Sequence, residues 1–138
     1  MKSYELLEHT ADFCLKVKAD TFAGLFEAAA ECLLNNIFNE IELCENTEKI
    51  SFSLRAESKE EALIKFLNEL LYMFYVRKRL LKAGFCYIKF ETDTLAVEAD
   101  FVKVKKFAAN FEIKAVTYGN IKIEQKDNLF ETMVIADV

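Results

Sequence analysis

The chain has no proline, no tryptophan, three glycines and a single histidine in 138 residues. Without proline and with so little glycine, its turns fall to Asn and Asp, which enter the left-handed backbone region at lower cost than other residues that carry a side chain. The segments ETDT at 91–94 and QKDN at 125–128 suit that role. The four cysteines, Cys14, Cys32, Cys44 and Cys86, are scattered, and no two stand at metal-ligand spacing. That excludes a cysteine zinc site and leaves free, mostly buried thiols as the expectation in a reducing compartment. Long apolar runs are also missing: the longest, Ala28 to Ile37, is broken by Glu31, far short of the roughly 20 residues a bilayer crossing needs. No membrane association is expected. The opening MKSYELLEHTAD has no apolar signal core, so the expected location is cytoplasmic. Basic residues are in deficit, 18 against 23 acidic, for a net charge of −5. A stand-alone nucleic-acid binder needs a positive footprint, so only a local basic patch remains open for that role.

What is present describes one domain spanning residues 1–138. The chain lacks linkers, repeats and low-complexity tracts, and 53% hydrophobic with 30% charged residues places it among globular proteins. In FCLKVKA (13–19), Phe13, Leu15, Val17 and Ala19 alternate with polar neighbours, which predicts a strand with one wet face. Thr21 then caps a helix to about Asn36, with Phe22, Leu25, Phe26, Ala29, Cys32 and Leu33 on one stripe. The acidic stretch from Ile37 to Glu48 reads as a surface loop, followed by a strand in KISFSLRA. Ser58 and Glu61 form a capping box ahead of a helix to about Tyr75, with Leu63, Phe66, Leu67, Leu70, Leu71 and Phe74 as its apolar stripe.

Beyond the basic cluster of Arg77, Lys78, Arg79 and Lys82 the pattern is of strands only: a hairpin over 85–100 through Thr92-Asp93, then two or three more to the end, with Gly119 marking a bulge. Two amphipathic helices with one apolar stripe each need a sheet to cover them. The expected fold is α+β, a two-layer sandwich with both helices on one face of a mixed, mostly antiparallel sheet.

Three places carry candidate chemistry. EHTAD (8–12) holds the only imidazole, His9, with Asp12 three residues on. Such a pair orients a general base or contributes to a metal site; an ordinary surface turn is the structural alternative. VIADV at the other end sets Asp137 beside the terminal carboxylate of Val138. If the first and last strands are neighbours, Asp12 joins them in an all-oxygen cluster of the kind that hard divalent cations such as Ca²⁺ or Mg²⁺ prefer. VRKRLLKAG is the dense basic stretch, and positive charge at a helix exit complements the negative end of the helix without any partner.

Taken together, EHTAD, FLNELLY (66–72), IKAVTYGNIKIE (113–124) and the closing MVIADV resemble the archease family, over essentially the whole chain. The resemblance implies a non-enzymatic activator of the RtcB-type RNA ligase, which joins tRNA halves and other broken RNAs using GTP and divalent metal. It implies promotion of the ligase's guanylylation and multiple turnover, so that tRNA is met through the ligase. It also implies a divalent cation held by Asp12, Asp137 and Val138; His9, the only imidazole, is a candidate neighbour behind these ligands. This sequence departs from the family where Gly119 stands in place of a histidine after Tyr118. It departs again upstream of Lys114, where the family carries an Asp and a His and this chain offers only Asp100. Two readings from other classes stay beside this one: a small hydrolase or isomerase using His9 and Asp12, and a chaperone-like RNA-interacting module using Arg77, Lys78 and Arg79.

Overall fold

The computed structural model describes residues 2–8, 12–82, 84, 87–109, 112–117 and 121–138, with residues 6–8 and 12 described by their backbone. The order along the chain is β1 (Lys2–Glu8), β2 (Asp12–Ala19), α1 (Phe22–Asn35), β3 (Glu40–Arg55), α2 (Lys59–Tyr75), β4 (Arg79–Leu81), β5 (Tyr87–Glu91), β6 (Thr94–Ala108), β7 (Ala115–Val116), β8 (Glu124–Lys126) and β9 (Leu129–Asp137).

Both helices start where side-chain oxygens meet orphan amides. Thr21 Oγ1 accepts from the Gly24 N–H at 2.9 Å, and Ser58 Oγ accepts from the Glu61 N–H at 3.1 Å. The Glu61 carboxylate meets Lys65 Nζ at 3.1 Å, one turn further on. A Cβ on Gly24 would stand 2.8 Å from the Thr21 hydroxyl oxygen and 3.2 Å from Ala19 Cβ, so only glycine lets α1 lie this close to the end of β2. The expected apolar stripes are buried except for Phe22, which is half-buried, and on α1 burial extends beyond its stripe to Ala28, Ala30 and Leu34. The cause is cover from two directions, since α1 packs on β1, β2 and β9 and also on α2.

The α+β class is as expected: two helices packed on antiparallel strands. The strands, however, form two sheets. One runs β1-β2-β9-β7 with β8 also paired to β9; the other runs β3-β6-β4 with β5 also paired to β6. Every described pairing is antiparallel. The physical reason is connectivity. The α2 crossover joins β3 to β4, two strands of like direction, but β6 lies between them and takes both ladders antiparallel. The two ends of the chain, meanwhile, pair with each other.

The stretch expected as a loop, Ile37 to Glu48, is from Glu40 onward the front half of β3. It ladders against β6 with register shifts between Glu42 and Thr47. Its side chains are mostly exposed, so no apolar alternation marks it, and backbone pairing that any residue can make holds it in place. The turn at Asp127-Asn128 has φ of 51° and 66°, the paired positive values of the two-residue hairpin turn that Asn and Asp serve. At the other expected turn Thr92 takes the positive φ, 60°, while the Asp93 carboxylate is bound by Arg55 Nη2 at 2.7 Å. The bulge expected at Gly119 lies outside the described residues. None of the described helices is long and apolar enough to cross a membrane.

Cys14 and Cys32 are free and buried, and Cys44 is free and half-buried. Cys86 lies outside the described residues. Burial pushes the Cys32 thiol up from 9.0 to about 11. The unfolded chain therefore ionises first, so the contribution of this thiol to stability is whole below pH 9 and is lost as pH rises to about 11. Two pH units correspond to about 3 kcal/mol at most. Urea titrations across that range are expected to show a steeper loss for the native protein than for Cys32→Ala.

Candidate functional site

Asp12 begins β2 and Asp137 ends β9, and the antiparallel register pairs them directly. Residues opposed in this way stand about 4.5–5.5 Å apart at Cα. The two acidic motifs, at opposite ends of the sequence, thus meet at one corner of one sheet. On β9, Thr132, Val134 and Ala136 are buried while Met133 and Ile135 are exposed, so alternation places Asp137 on the outer face. The Val138 side chain packs against the core, which ties down a residue that would otherwise fray.

On its other side β9 pairs with β7, Ala115 opposite Asp137 and Val116 opposite Ala136. The Lys114 N–H donates to the Asp137 carbonyl at 2.8 Å, and the Thr117 N–H donates to the Ile135 carbonyl at 2.9 Å. Asp137 is therefore held between two strands. A two-residue strand cannot fix its own place, and α2 supplies what is missing. Asn68 donates through Nδ2 to the Val116 carbonyl at 3.0 Å and accepts the Val116 N–H on Oδ1 at 2.8 Å, so its amide stands in for a neighbouring peptide group. The Tyr75 hydroxyl accepts from the Ile113 N–H at 3.0 Å, and Glu60 Oε2 accepts from the Ile123 N–H at 2.9 Å. These three side chains stand eight and seven residues apart, about two helical turns each, on one side of α2. Burial pushes the Tyr75 phenol above its ordinary range, which keeps it neutral in that setting.

Sequence reasoning missed this bracket. Its one visible signal was Asn68 itself, a half-buried amide inside the apolar run FLNELLY, where a polar group taken from water needs a partner.

Two aspartates in directly opposed strand positions repel each other unless a cation is shared. Aspartate carboxylates offer anionic oxygen, the donor chemistry that suits Ca²⁺ or Mg²⁺. Among the described side chains, no group of three or more His, Cys, Asp or Glu is placed to hold a metal ion. The Asp12 side chain and His9 are not among them. Asp100 lies in the other sheet, opposite Lys49. It does not join this corner. The basic cluster also stands apart, at the exit of α2 and the start of β4.

These features define a small α+β domain in which the backbone register sets position 12 of β2 opposite Asp137 of β9. The Archease protein family matches residues 4–138, and the chain belongs to that family. It is 29% identical to protein archease of Methanosarcina mazei, over 99% of this chain and 97% of that one. It is 28% identical to protein archease of Pyrococcus furiosus, over the full length of both. Among solved structures, an archease from Thermotoga maritima described as a possible chaperone superposes with a TM-score of 0.67 at 26% identity, over 96% of this chain and 94% of that one. A Methanobacterium thermoautotrophicum protein at 22% identity has the same fold, with a TM-score of 0.71 over 98% of both chains.

Proposed function

We propose that this protein is a cytoplasmic accessory factor for an RtcB-type RNA ligase in tRNA splicing and RNA repair. In this reading it promotes the GTP-dependent guanylylation of the ligase and its multiple turnover. Asp12, Asp137 and the Val138 carboxylate hold a divalent cation, Ca²⁺ or Mg²⁺, with His9 beside them, and the protein meets tRNA through the ligase. The observation that carries this reading is the direct pairing of residues 12 and 137 in the β2–β9 ladder. Family membership supports it. A cation bound there supplies positive charge that screens the negative ligase–nucleotide intermediate. The chain's own part is to present the donors on a rigid corner. Lys114 and Thr117 fix the last turn of β9 through backbone bonds, and Asn68 fixes the strand that carries them.

The test is guanylylation of the cognate ligase, measured with limiting accessory protein and a titration of Ca²⁺ or Mg²⁺. Asp12→Ala and Asp137→Ala are each expected to lower the stimulated rate at least tenfold, the loss of more than about 1.4 kcal/mol of transition-state stabilisation. Equal stimulation by native protein and Asp12→Ala would overturn the proposal.

A further inference from the structure

The basic cluster at the exit of α2 is larger in space than in sequence. Lys78 takes a left-handed φ of 55° and donates through Nζ to the Tyr75 carbonyl at 2.7 Å, which already serves the negative end of the helix. Arg79 also donates to carbonyls at this exit, those of Arg77 and Lys78, and the Arg77 side chain is not needed for that purpose. The Val104 N–H donates to the Lys78 carbonyl at 2.8 Å, and the β4–β6 register sets Arg79 directly opposite Lys103. Lys105 follows on β6, about 6.7 Å further along. Two basic runs more than twenty residues apart in sequence are thereby laid side by side. Arg77, Lys103 and Lys105 are exposed, and among the described residues no carboxylate pairs with them. Arg79 is half-buried; its Nη1 donates to the Arg77 and Lys78 carbonyls at 3.1 and 3.4 Å, and its Nε stands 3.7 Å from Glu48.

Apolar surface lies beside this charge. Tyr72 is 49% exposed and Val76 63% exposed. With Arg77, Arg79, Ile50 and Glu48 they line a groove of about 450 Å³. An exposed aromatic ring among guanidinium groups offers a stacking surface for a base and cations for its phosphates, the combination that binds single-stranded nucleic acid. The net charge of −5 does not oppose this locally, because at physiological ionic strength fields are screened over about 8 Å. The carboxylate corner lies in the other sheet.

We infer that the face formed by Tyr72, Val76, Arg77, Arg79, Lys103 and Lys105 binds single-stranded RNA directly. Phosphates lie along the β4–β6 basic residues and a base stacks on Tyr72. This inference stands independently of any cation at Asp12 and Asp137.

The experiment is fluorescence anisotropy of the full chain with a labelled single-stranded oligouridylate, titrated with salt from about 50 mM upward. Each phosphate neutralised contributes roughly 0.7 to the log–log salt slope, so three or four cations give a slope of about −2 to −3. Arg77→Glu combined with Lys103→Glu is expected to weaken binding at least tenfold and flatten the slope. Tyr72→Ala is expected to weaken binding at least fivefold, and Lys126→Glu, on β8 in the other sheet, to leave it unchanged. Native circular dichroism of each variant confirms that a loss is not unfolding. Three results would each overturn the inference: no binding by the native protein at low salt, binding that the charge reversal does not weaken, or preferential capture of polyglutamate over the RNA.

Discussion

Phe74→Ala is expected to lower the unfolding free energy by about 3–5 kcal/mol, the range for truncating a fully buried phenylalanine. Phe74 has no exposed surface. Its ring centroid stands 4.7 Å from that of Phe107 on β6, 5.3 Å from that of Tyr75 and 6.0 Å, stacked, from that of Phe38 after α1. One side chain thus joins the end of α2 to the far end of β6 and to the α1–β3 connection. Truncation loses the transfer free energy of the ring and leaves a cavity whose walls, aromatic rings on three separate elements, cannot all move inward together. Against a domain stability of about 5–15 kcal/mol, that is roughly a fifth or more of the total. Urea denaturation measures it: the midpoint falls while the slope stays unchanged. Phe74→Leu retains most of the volume and is expected to cost less than about 1.5 kcal/mol. Equal losses in the two variants would mean that the aromatic cluster is not what Phe74 contributes.

The position of Phe74 was legible from spacing alone, as were both helices, their caps and β2, because one buried face imposes a period that a sequence displays. The front of β3 was not. Between Glu40 and Glu48 most side chains face water, so the strand exists through backbone pairing with β6 and leaves no trace in the apolar pattern. The division into two sheets was hidden for a related reason. Periodicity says which face of a strand is buried but not which distant strand lies beside it, and the β2–β9 pairing spans nearly the whole chain.

The same blindness cuts both ways at the β2–β9 corner and the basic face. Asp12 and Asp137 could be nominated because their chemistry is shared and a resemblance linked them, yet their adjacency needed the register. Lys103 and Lys105 could not be joined to Arg77 and Arg79 at all, and the cluster read from sequence as a helix exit, with an RNA-interacting module only as an alternative. Asn68, for its part, stood within an apolar run where a polar residue is easily taken for a gap in the stripe.

That residue supports the second large effect. Asn68→Ala is expected to cost about 2–4 kcal/mol, because it strips partners from two backbone groups at once. Val116 is 2% exposed, so water cannot readily replace the amide that accepts its N–H at 2.8 Å and donates to its carbonyl at 3.0 Å. Tyr75→Phe removes one acceptor, from the Ile113 N–H, and should cost about half as much. The two variants also differ from Phe74→Ala in where they act. β7 is two residues long and lies between α2 and β9, so losing the Asn68 bracket is expected to release it locally before the domain unfolds globally. Hydrogen exchange should then show reduced protection at Lys114, Val116 and Thr117, with the β3–β6 ladder unchanged. Because the Lys114 and Thr117 amides close on the carbonyls of Asp137 and Ile135, the same variant should loosen the end of β9 that carries the acidic corner. Unchanged protection at Thr117 in Asn68→Ala would show that β9 alone positions that corner and that the helix contributes nothing to it.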